Sequence, residues 1–569
     1  MKLNQIHTIS LFLFLLLPGT FFAQREACNW QFGNHAGMRF NDGSKPASIT
    51  SAVSTLEGTS CISDENGNLL FYTDGVTVWN RNNQPMPNGF GLMGLASSTH
   101  SALIIRKPGS HNLYYIFTAD GNANALNHHM ENGYRYSIVD MNLDNGLGDL
   151  TDAKNVLLYA PSTEKLAAVK QADGVNVWLM THEWNSSKFV AYSLTCDGLD
   201  PNPVISDVGE SHAYSTGGYY NAIGQMKFST DGNRLALALL GNLRVQVFDF
   251  NPSTGIVSNP INILAYWPDG YLQPNGGAFD FENIYGVEFS PNGRVLYLTK
   301  IDAGYLFQYD LSAGDSPGIS ATGQYYSMGP WCEADQVGWS CPGSTGALQL
   351  GPDGKIYGAM NPFNGLNVIA DPDVFGIGCK YEKSPKLTNS CNYGLPSFMA
   401  SYFRHDVIRE KKEECLKMSF TSTYSQTATA ISWDFGDPNS VSNTSNDPDP
   451  EHIYSDSGTY TVSLTLTNAS GCTDVVRKVI HVAVCDPVIP NIFTPDGDGI
   501  NDLFTIGDIS FFPKNELVIV NRWGNEVFSA KNYSNETAFD GGDCVDGVYF
   551  YKLILPNGRL FSGFVTIVR

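Results

Sequence analysis

The sequence predicts an all-β protein built from several domains, and three observations carry this prediction. A chain of 569 residues is too long for a single hydrophobic core. Its 56 glycines and 28 tyrosines, without long helical patterns, favour short strands joined by turns. Segments that combine a tight turn with two apolar runs recur along the first four hundred residues.

Residues 1–24 are predicted to be a secretory signal peptide. Lys2 precedes the apolar run from Ile9 to Leu17, and small residues follow around Ala23. The run is too short to span a bilayer, and no later stretch is long and apolar enough to do so. The mature chain is therefore expected to be exported and soluble.

The charge balance is acidic, with 34 basic and 56 acidic residues and a formal net charge of −22. Nucleic-acid phosphates would be repelled over most of such a surface, so a nucleic-acid partner is not expected. The same charge keeps an exported protein soluble.

Eleven cysteines in an exported chain indicate disulfides rather than zinc, because no CxxC or Cys/His ligand spacing occurs. The close pairs Cys332 with Cys341 and Cys379 with Cys391 are candidates to staple loops. The odd count leaves at least one thiol over. Cys196, far from any other cysteine, is the candidate for it.

Three segments resemble one another most clearly: MKFSTDGNRLALAL, VEFSPNGRVLYLTK and LQLGPDGKIYGAMN. Their turn glycines, Gly232, Gly293 and Gly354, are spaced 61 residues apart. Asp-Gly or Asn-Gly between alternating apolar runs is a strong hairpin signal. Each segment is predicted to be a hairpin, and a further strand follows each one.

Weaker copies precede these at 63–80, 101–118 and 167–184. A repeat of 40 to 60 residues with about four strands is typical of a β-propeller. We predict a propeller over 25–404 with seven blades, six being the alternative. The seventh would close by pairing Asn29–Phe40 with Pro396–Phe403.

The predicted loops between blades are long and aromatic. Aromatic rings on one face could stack on sugar rings, and the alternative is that they cap the blades. The candidates for ligand binding, with extracellular or surface polysaccharide as the ligand, are Tyr214, Tyr220, Trp267, Tyr271, Trp331 and Trp339.

Catalysis has little support in the sequence, which contains no G-x-S-x-G or H-E-x-x-H motif. His128 and His129 are adjacent, so in a strand they would point to opposite faces and not chelate one metal. His100 and His182 are isolated. No catalytic residue is predicted.

A second domain is predicted after the charged run Arg409–Glu414. Alternation of apolar and polar residues in TYTVSLTLT predicts a half-buried strand. The motifs WDFGD (from Trp433), HIY (from His452) and GTYTV (from Gly458) resemble a PKD domain over 405–484. The resemblance implies an immunoglobulin-like sandwich that serves as a spacer or adhesion module, with Cys415 and Cys472 as a candidate disulfide.

The loop PNIFTPDGDGINDLF (Pro490–Phe504) is rich in carboxylates and could suggest an EF-hand. If Asp496 and Asp498 take its positions 1 and 3, Ile500 falls at position 5 and Gly507 at position 12, where a bidentate Glu is required. The EF-hand interpretation therefore fails. Two alternatives stay open: a looser calcium site, or turns in which Asp side chains bond the backbone. The calcium candidates are Asp496, Asp498, Asn501 and Asp502.

The same loop is followed by VIVNRWGNEVF, FDGG, DGVYFYKL and GFVTIVR, in that order. Together these motifs resemble the gliding-motility-associated C-terminal domain, the type B sorting domain of the bacterial type IX secretion system, over 485–569. The resemblance implies a C-terminal β-sandwich, recognition by an outer-membrane translocon, and a secreted or cell-surface location.

The sequence thus leads to the hypothesis of a non-enzymatic binding or adhesion protein with a propeller head, a PKD spacer and a sorting domain. No cofactor is expected apart from the calcium alternative. The rival hypothesis is an exported glycan-degrading enzyme with the propeller as its catalytic domain. An enzyme of that kind needs two carboxyl groups close together in the central cleft, one of them kept protonated.

Overall fold

The structure is a computed structural model that describes residues 25–41, 44–121, 130–213, 219–241, 244–263, 284–301, 305–327, 344–383 and 386–569. The chain divides into two compact units, Met1–His405 and Asp406–Arg569. Among the described residues, no helix has the length and apolar character needed to cross a membrane.

The described part of the first unit forms seven sheets that follow one another along the chain. The first four comprise β1 (Asn29–Phe32), β2 (Asn34–Arg39) and β3 (Ala47–Ser54); β4 (Thr59–Ser63), β5 (Leu69–Thr73), β6 (Thr77–Asn80) and β7 (Pro85–Phe90); β8 (Ala102–Arg106), β9 (Leu113–Ala119), β10 (Tyr134–Asp140), β11 (Asp149–Leu150) and β12 (Val156–Tyr159); and β13 (Ser162–Lys170), β14 (Val177–Glu183), β15 (Lys188–Thr195), β16 (Gly198–Leu199) and β17 (Val204–Asp207).

The next three sheets have four strands each and contain the clearest sequence repeats. They comprise β18 (Met226–Phe228), β19 (Arg234–Leu239), β20 (Arg244–Asn251) and β21 (Ile256–Ile263); β22 (Ile284–Phe289), β23 (Val295–Lys300), β24 (Tyr305–Asp310) and β25 (Gln324–Ser327); and β26 (Ser344–Leu350), β27 (Ile356–Asn361), β28 (Leu366–Ile369) and β29 (Tyr381–Lys383), after which β30 (Pro396–Ser397) follows.

Helical structure in the described residues is confined to short pieces. The α-helix α1 (Ser316–Ala321) begins at the N-cap Asp315, whose carboxylate accepts the Gly318 N–H. The remaining pieces are 3₁₀ turns at Asp144–Gly146, Tyr219–Ala222, Leu311–Ala313, Gly376–Cys379, Ala400–Phe403, Ile509–Phe511 and Asn535–Thr537.

The seven sheets form a closed ring. The first strands of neighbouring sheets contact one another in chain order, from β1 through β4, β8, β13, β18 and β22 to β26. The ring closes where Trp30 of β1 packs edge-on against Tyr357 of β27, with the two ring centroids 5.5 Å apart. Apolar side chains fill the space between sheet faces, as Phe189 and Phe248 do between the fourth and fifth sheets. This is the predicted propeller, with seven blades.

The three repeat glycines occupy equivalent turns, as predicted. Each joins the first strand of its sheet to the second, at positive φ: +73° for Gly232, +69° for Gly293 and +75° for Gly354. In each turn the glycine N–H donates to the carbonyl three residues earlier, at 2.8–3.0 Å. The positive φ explains why glycine occurs at each of these positions.

The predicted closure of the ring was wrong in one respect. Asn29–Phe40 does not pair with Pro396–Phe403; β1 turns at Gly33 and pairs with β2 instead. β30 runs parallel to β4, with Pro396 opposite Thr59 and Ser397 opposite Ser60. The β1–β2 hairpin needs only a tight turn, which Gly33 supplies at a φ of +60°.

The second unit begins with a β-sandwich in which the predicted alternation is visible. In β36, Val462, Leu464 and Leu466 are buried, and Trp433 of β33 is fully buried opposite Leu464. Its two sheets have the orders β31-β32-β35 and β34-β33-β36-β37. The strands are β31 (Ile408–Lys412), β32 (Lys417–Ser422), β33 (Ala430–Asp434), β34 (Thr444–Ser445), β35 (Glu451–Ile453), β36 (Gly458–Thr467) and β37 (Thr473–Val482).

The last domain is a five-stranded sheet of order β38-β42-β41-β39-β40. One face, with Leu517, Ile519 and Val565, is fully buried, and Phe504 from the preceding loop packs against Tyr551 on the same side. The strands are β38 (Ile492–Phe493), β39 (Glu516–Val520), β40 (Glu526–Lys531), β41 (Gly547–Ile554) and β42 (Leu560–Ile567).

The cysteine pairings differ from the predictions. Cys415 pairs with Cys485, with Cα atoms 5.4 Å apart, and not with Cys472, which is in another disulfide. Cys485 lies just beyond β37, the partner strand of β36, so the bond ties the two ends of the sandwich together.

Two further cysteine predictions were wrong. Cys196 is disulfide-bonded and not the leftover thiol. Cys379 and Cys391 are free and buried, and they contact different sheets. Cys391 Sγ lies 3.0 Å from the carbonyl of Met360 in the seventh sheet, whereas Cys379 Sγ accepts from Gln308 in β24 of the sixth. Cys332 and Cys341 lie outside the described residues.

Candidate functional site along the propeller axis

Buried polar side chains gather where the first strands of the seven sheets converge. This axial cluster comprises Glu57, Thr99, His100, Glu164, Lys165, Gln225, Lys227, Tyr285, Glu288, Gln349 and Ser397. Ionisable groups are rarely buried unless they are paired. The hydrogen-bond partners of each group therefore indicate whether it holds the fold together or is available to a ligand.

The Lys165 side chain is fully buried, and backbone carbonyls hold its amino group. Its Nζ donates to the carbonyls of Ile223 at 2.9 Å, Gly224 at 3.1 Å and Ala238 at 2.9 Å. Burial lowers the pKa of Lys165 to about 7, while the neighbouring Glu164 carboxylate opposes that shift. Since the acceptors belong to the fifth sheet and its preceding turn, Lys165 links the fourth sheet to the fifth.

Glu164 links the fourth sheet to the third. Its Oε2 accepts both the N–H and the hydroxyl of Thr99 at 2.8 Å, and the Thr99 hydroxyl oxygen accepts the Gly224 N–H at 3.1 Å. Glu164 is 1% exposed, so its carboxylate is satisfied from within the protein.

Glu57 is the acidic group of the cluster that reaches solvent, being half-buried beside the fully buried Tyr285. Its Oε2 accepts the Tyr285 hydroxyl at 3.0 Å. Burial, and then the negative charge of Glu164, raise the pKa of Glu57 well above its usual value. Both effects favour the protonated form of the Glu57 carboxyl group.

A second layer of the axial cluster lies further along the same strands. Lys227 Nζ is 3.3 Å from Glu288 Oε2 and donates to Gln349 Oε1 at 2.5 Å. His100 Nε2 accepts the Met226 N–H at 3.1 Å, so its Nδ1 carries the proton directed at Ser397 Oγ, 2.9 Å away. The cavity lined by these groups has a volume of about 20 Å³, room for about one water molecule.

The sequence contained a signal for this layer that sequence reasoning missed. Lys227, Glu288 and Gln349 are 61 residues apart and occupy the same position in the three clearest repeats. Equivalent positions of successive blades lie at one level around the axis, so these side chains converge. A charged or amide residue in an otherwise apolar strand, repeated at the blade period, predicts an axial polar cluster.

Of the six aromatic candidates, only Tyr220 lies in the described residues. It is 52% exposed in the turn Tyr219–Ala222, next to the carbonyls that hold Lys165. This places one exposed ring beside the axial cluster. Tyr214, Trp267, Tyr271, Trp331 and Trp339 lie outside the described residues, as do His128 and His129.

His182 and His212 form a second buried polar pair, with ring centroids 3.5 Å apart and both side chains fully buried. Burial lowers the pKa of His182 to about 3, and the charge of Lys165 adds to that effect. The pKa of His212 is lowered by burial and by His182. Both rings are therefore neutral in the folded protein at neutral pH.

Acidification is expected to destabilise the propeller through these two histidines. Because the folded-state pKa values are depressed, the unfolded chain binds more protons below pH 6.5. Stability is then lost as the pH falls below about 6.5, by up to about 1.4 kcal/mol per pH unit for each ring, and for His182 the loss continues towards pH 3. Urea unfolding of the full chain at pH 7.0, 5.5 and 4.5 measures how steeply the free energy of unfolding changes with pH.

The matched variant is His182→Gln, which removes one titrating ring. The free energy of unfolding of this variant should depend less steeply on pH over the same range, because about one proton fewer is taken up on unfolding. An identical slope in the two proteins would show that the ring does not titrate on unfolding.

The acidic loop of the last domain brings three of its four calcium candidates together. One carboxylate oxygen each from Asp496, Asp498 and Asp502 lies within 4.8 Å of the others. The same carboxylates bond the loop: Asp502 accepts the Gly497 and Gly499 N–H groups at 2.8 Å, and Asp498 accepts the Ile500 N–H at 2.7 Å. Asn501 accepts the Thr494 N–H through its backbone oxygen. Carboxylate oxygens are ligands that Ca²⁺ prefers, but these carboxylates also accept hydrogen bonds that hold the loop in shape.

We expect Asp496→Asn with Asp498→Asn to change export little, because an asparagine oxygen accepts the same turn hydrogen bonds. Gly497→Val with Gly499→Val should impair export, since both glycines have positive φ, +83° and +87°. Forcing valine into that region costs about 1–3 kcal/mol per site. The fraction of protein outside the cells is measured, and a calcium-dependent fall for the Asn pair would contradict the expectation and establish a metal site.

With the geometry described, two parts of the chain match known families. Residues 488–567 match the CHU_C type IX secretion signal domain, and residues 400–484 match the PKD domain. The protein is therefore an exported multidomain β-protein. It carries a PKD domain and a type IX secretion signal, which directs it to the cell surface or the extracellular space.

Solved structures give further similarities. A putative 6-phosphogluconolactonase from Bacteroides uniformis is 13% identical, over 64% of this chain and 97% of its own, with a TM-score of 0.36. A periplasmic gluconolactonase from Pseudomonas aeruginosa is 14% identical, over 73% and 98%, with a TM-score of 0.34. A PKD domain of Vibrio anguillarum Epp is 27% identical, over 14% and 93%, with a TM-score of 0.11. No curated protein matches.

Proposed function

We propose that the protein is a non-enzymatic binding protein that reaches the cell surface or the medium through type IX secretion. The propeller is the binding head and the PKD domain is the spacer. The observation that supports this proposal is that charged side chains of the axial cluster bond groups of the protein itself. Lys165 and Glu164 bond backbone and side-chain groups of neighbouring sheets, so they hold the ring together.

The proposed ligand is a polysaccharide bound on the face where Tyr220 is exposed. A tyrosine ring offers an apolar face to a sugar ring, and a half-buried carboxyl group of the axial cluster, that of Glu57, can bond sugar hydroxyls. The test measures binding of the purified full chain to a panel of bacterial and plant polysaccharides. We expect Tyr220→Ala to weaken binding by about tenfold or less, since one exposed aromatic contact is lost.

The alternative function is an exported glycan-degrading enzyme, and the Glu57–Glu164 pair is the observation that favours it. A carboxyl group with a raised pKa, close to a second carboxyl group, is what glycoside hydrolysis uses. Glu57 would be the general acid, because it is the partly accessible member and its pKa is raised.

The two functions differ in the effect of Glu57→Gln, which keeps the size of the side chain and the hydrogen bond with Tyr285. On the binding proposal the wild-type protein releases no reducing sugar from any polysaccharide that it binds. If the wild-type protein does release reducing sugar, and Glu57→Gln lowers the rate of that release by about 100-fold or more while binding persists, the enzyme alternative replaces the proposal.

A further inference from the structure

One face of the C-terminal five-stranded sheet is apolar and exposed; we call it the outer face. Phe550 of β41 lies directly opposite Phe564 of β42 and beside Val520 of β39, which makes an apolar row across three strands. In the next row, Val548 and Ile492 lie on either side of Thr566. The exposed fractions are 47% for Phe550, 51% for Phe564, 48% for Val548 and 50% for Ile492.

The outer face differs from a water-facing sheet of the same unit. In β36 of the PKD sandwich, the residues between the buried positions are Thr461, Ser463, Thr465 and Thr467. An antiparallel sheet with one solvated face normally has this alternation of apolar and polar residues. The C-terminal sheet has phenylalanine, valine and isoleucine where polar residues would keep it soluble, which indicates a surface that is covered at some stage.

Neither the domain's own loops nor its PKD neighbour covers this face. The loops pack on the opposite face, where Phe504 contacts Tyr551. The bonds to the PKD domain and its C-terminal linker run from the turn between β41 and β42: Asn557 Nδ2 bonds Asp456 at 3.3 Å, and Arg559 forms an ion pair with Asp486.

We propose that the outer face is the surface by which the type IX secretion machinery recognises this domain. The proposal rests on the export assignment, because a secretion signal domain has to be bound by a component of the machinery. The partner is a protein surface with an apolar depression that accepts Phe550 and Phe564. Lys552 and Ser562, paired in the adjoining row, form part of a polar rim around this apolar centre, as in protein–protein interfaces.

The test is the export of the full chain in a bacterium that has a type IX secretion system. We expect Phe550→Ser with Phe564→Ser to reduce the fraction outside the cells about tenfold or more, since both central aromatic anchors are lost. The matched control is Ile205→Ser with Ile256→Ser, two propeller residues that are 49% and 47% exposed. The control should be exported like the wild type.

A second variant, Phe550→Leu with Phe564→Leu, keeps the face apolar and should retain most of the export. Wild-type export of the Ser pair would overturn the proposal, and so would an equal loss in the Ser and Leu pairs, because apolar chemistry would then not be what is recognised. A purified wild-type dimer that the Ser pair converts to monomer would also overturn it, by assigning the face to a second copy. Normal export of a chain lacking residues 488–569 would instead refute the export assignment, an outcome distinct from failure of the outer face alone.

Discussion

Removing residues 488–569 is expected to trap nearly all of the protein in the periplasm. The truncated chain keeps residues 1–24, the predicted signal for crossing the inner membrane, and loses the type IX secretion signal that directs passage across the outer membrane. The cut after Pro487 retains Cys485 and therefore the disulfide with Cys415 that ties the PKD sandwich together. The measurement is the distribution of the protein among periplasm, cell surface and medium.

A second truncation separates the two export signals. A chain that lacks both 1–24 and 488–569 should remain in the cytoplasm. The propeller has its own core, so both truncated chains should resist proteolysis in the region 25–405 as the full chain does. Truncated protein at wild-type levels in the medium would show that the last domain is not needed for export.

Replacing Lys165 by methionine is expected to destabilise the propeller by about 3–5 kcal/mol. Methionine has a similar length but no donors, so the carbonyls of Ile223, Gly224 and Ala238 would be left buried without their partner. The charge of Glu164 would also lose its neighbouring cation. Urea unfolding of the full chain measures the loss, and the transition of residues 406–569 serves as an internal reference.

The matched control is Lys154→Met. Lys154 also donates to two carbonyls, those of Asn88 and Phe90, but it is partly exposed, so water can replace it. Its substitution should cost about 1 kcal/mol or less. Equal effects at the two lysines would mean that burial does not govern the contribution of Lys165.

The repeating architecture could be predicted because its signals are local. A turn such as that at Gly232 is specified by a few neighbouring residues, and the same turn recurs 61 residues later at Gly293. The PKD and C-terminal domains could be predicted for a similar reason, since their motifs are short and ordered along the chain. The axial cluster could not be predicted as easily, because its members are distant in sequence: Glu57 bonds Tyr285, 228 positions further on.

The sequence by itself determined the class of structure and the destination: an all-β chain with a repeated hairpin, a PKD domain and a secretion signal. The tertiary structure decided which distant residues meet. It paired Cys415 with Cys485 rather than Cys472, placed β30 beside β4, and brought the Glu57 carboxyl group to the Tyr285 hydroxyl. The physical reason is that turns and alternation depend on neighbours in the chain, whereas these contacts depend on the closure of the whole ring and sandwich. Cys472 and Cys485 lie at similar distances along the chain from Cys415, and because closure entropy grows only slowly with loop length, spacing did not select between these two partners.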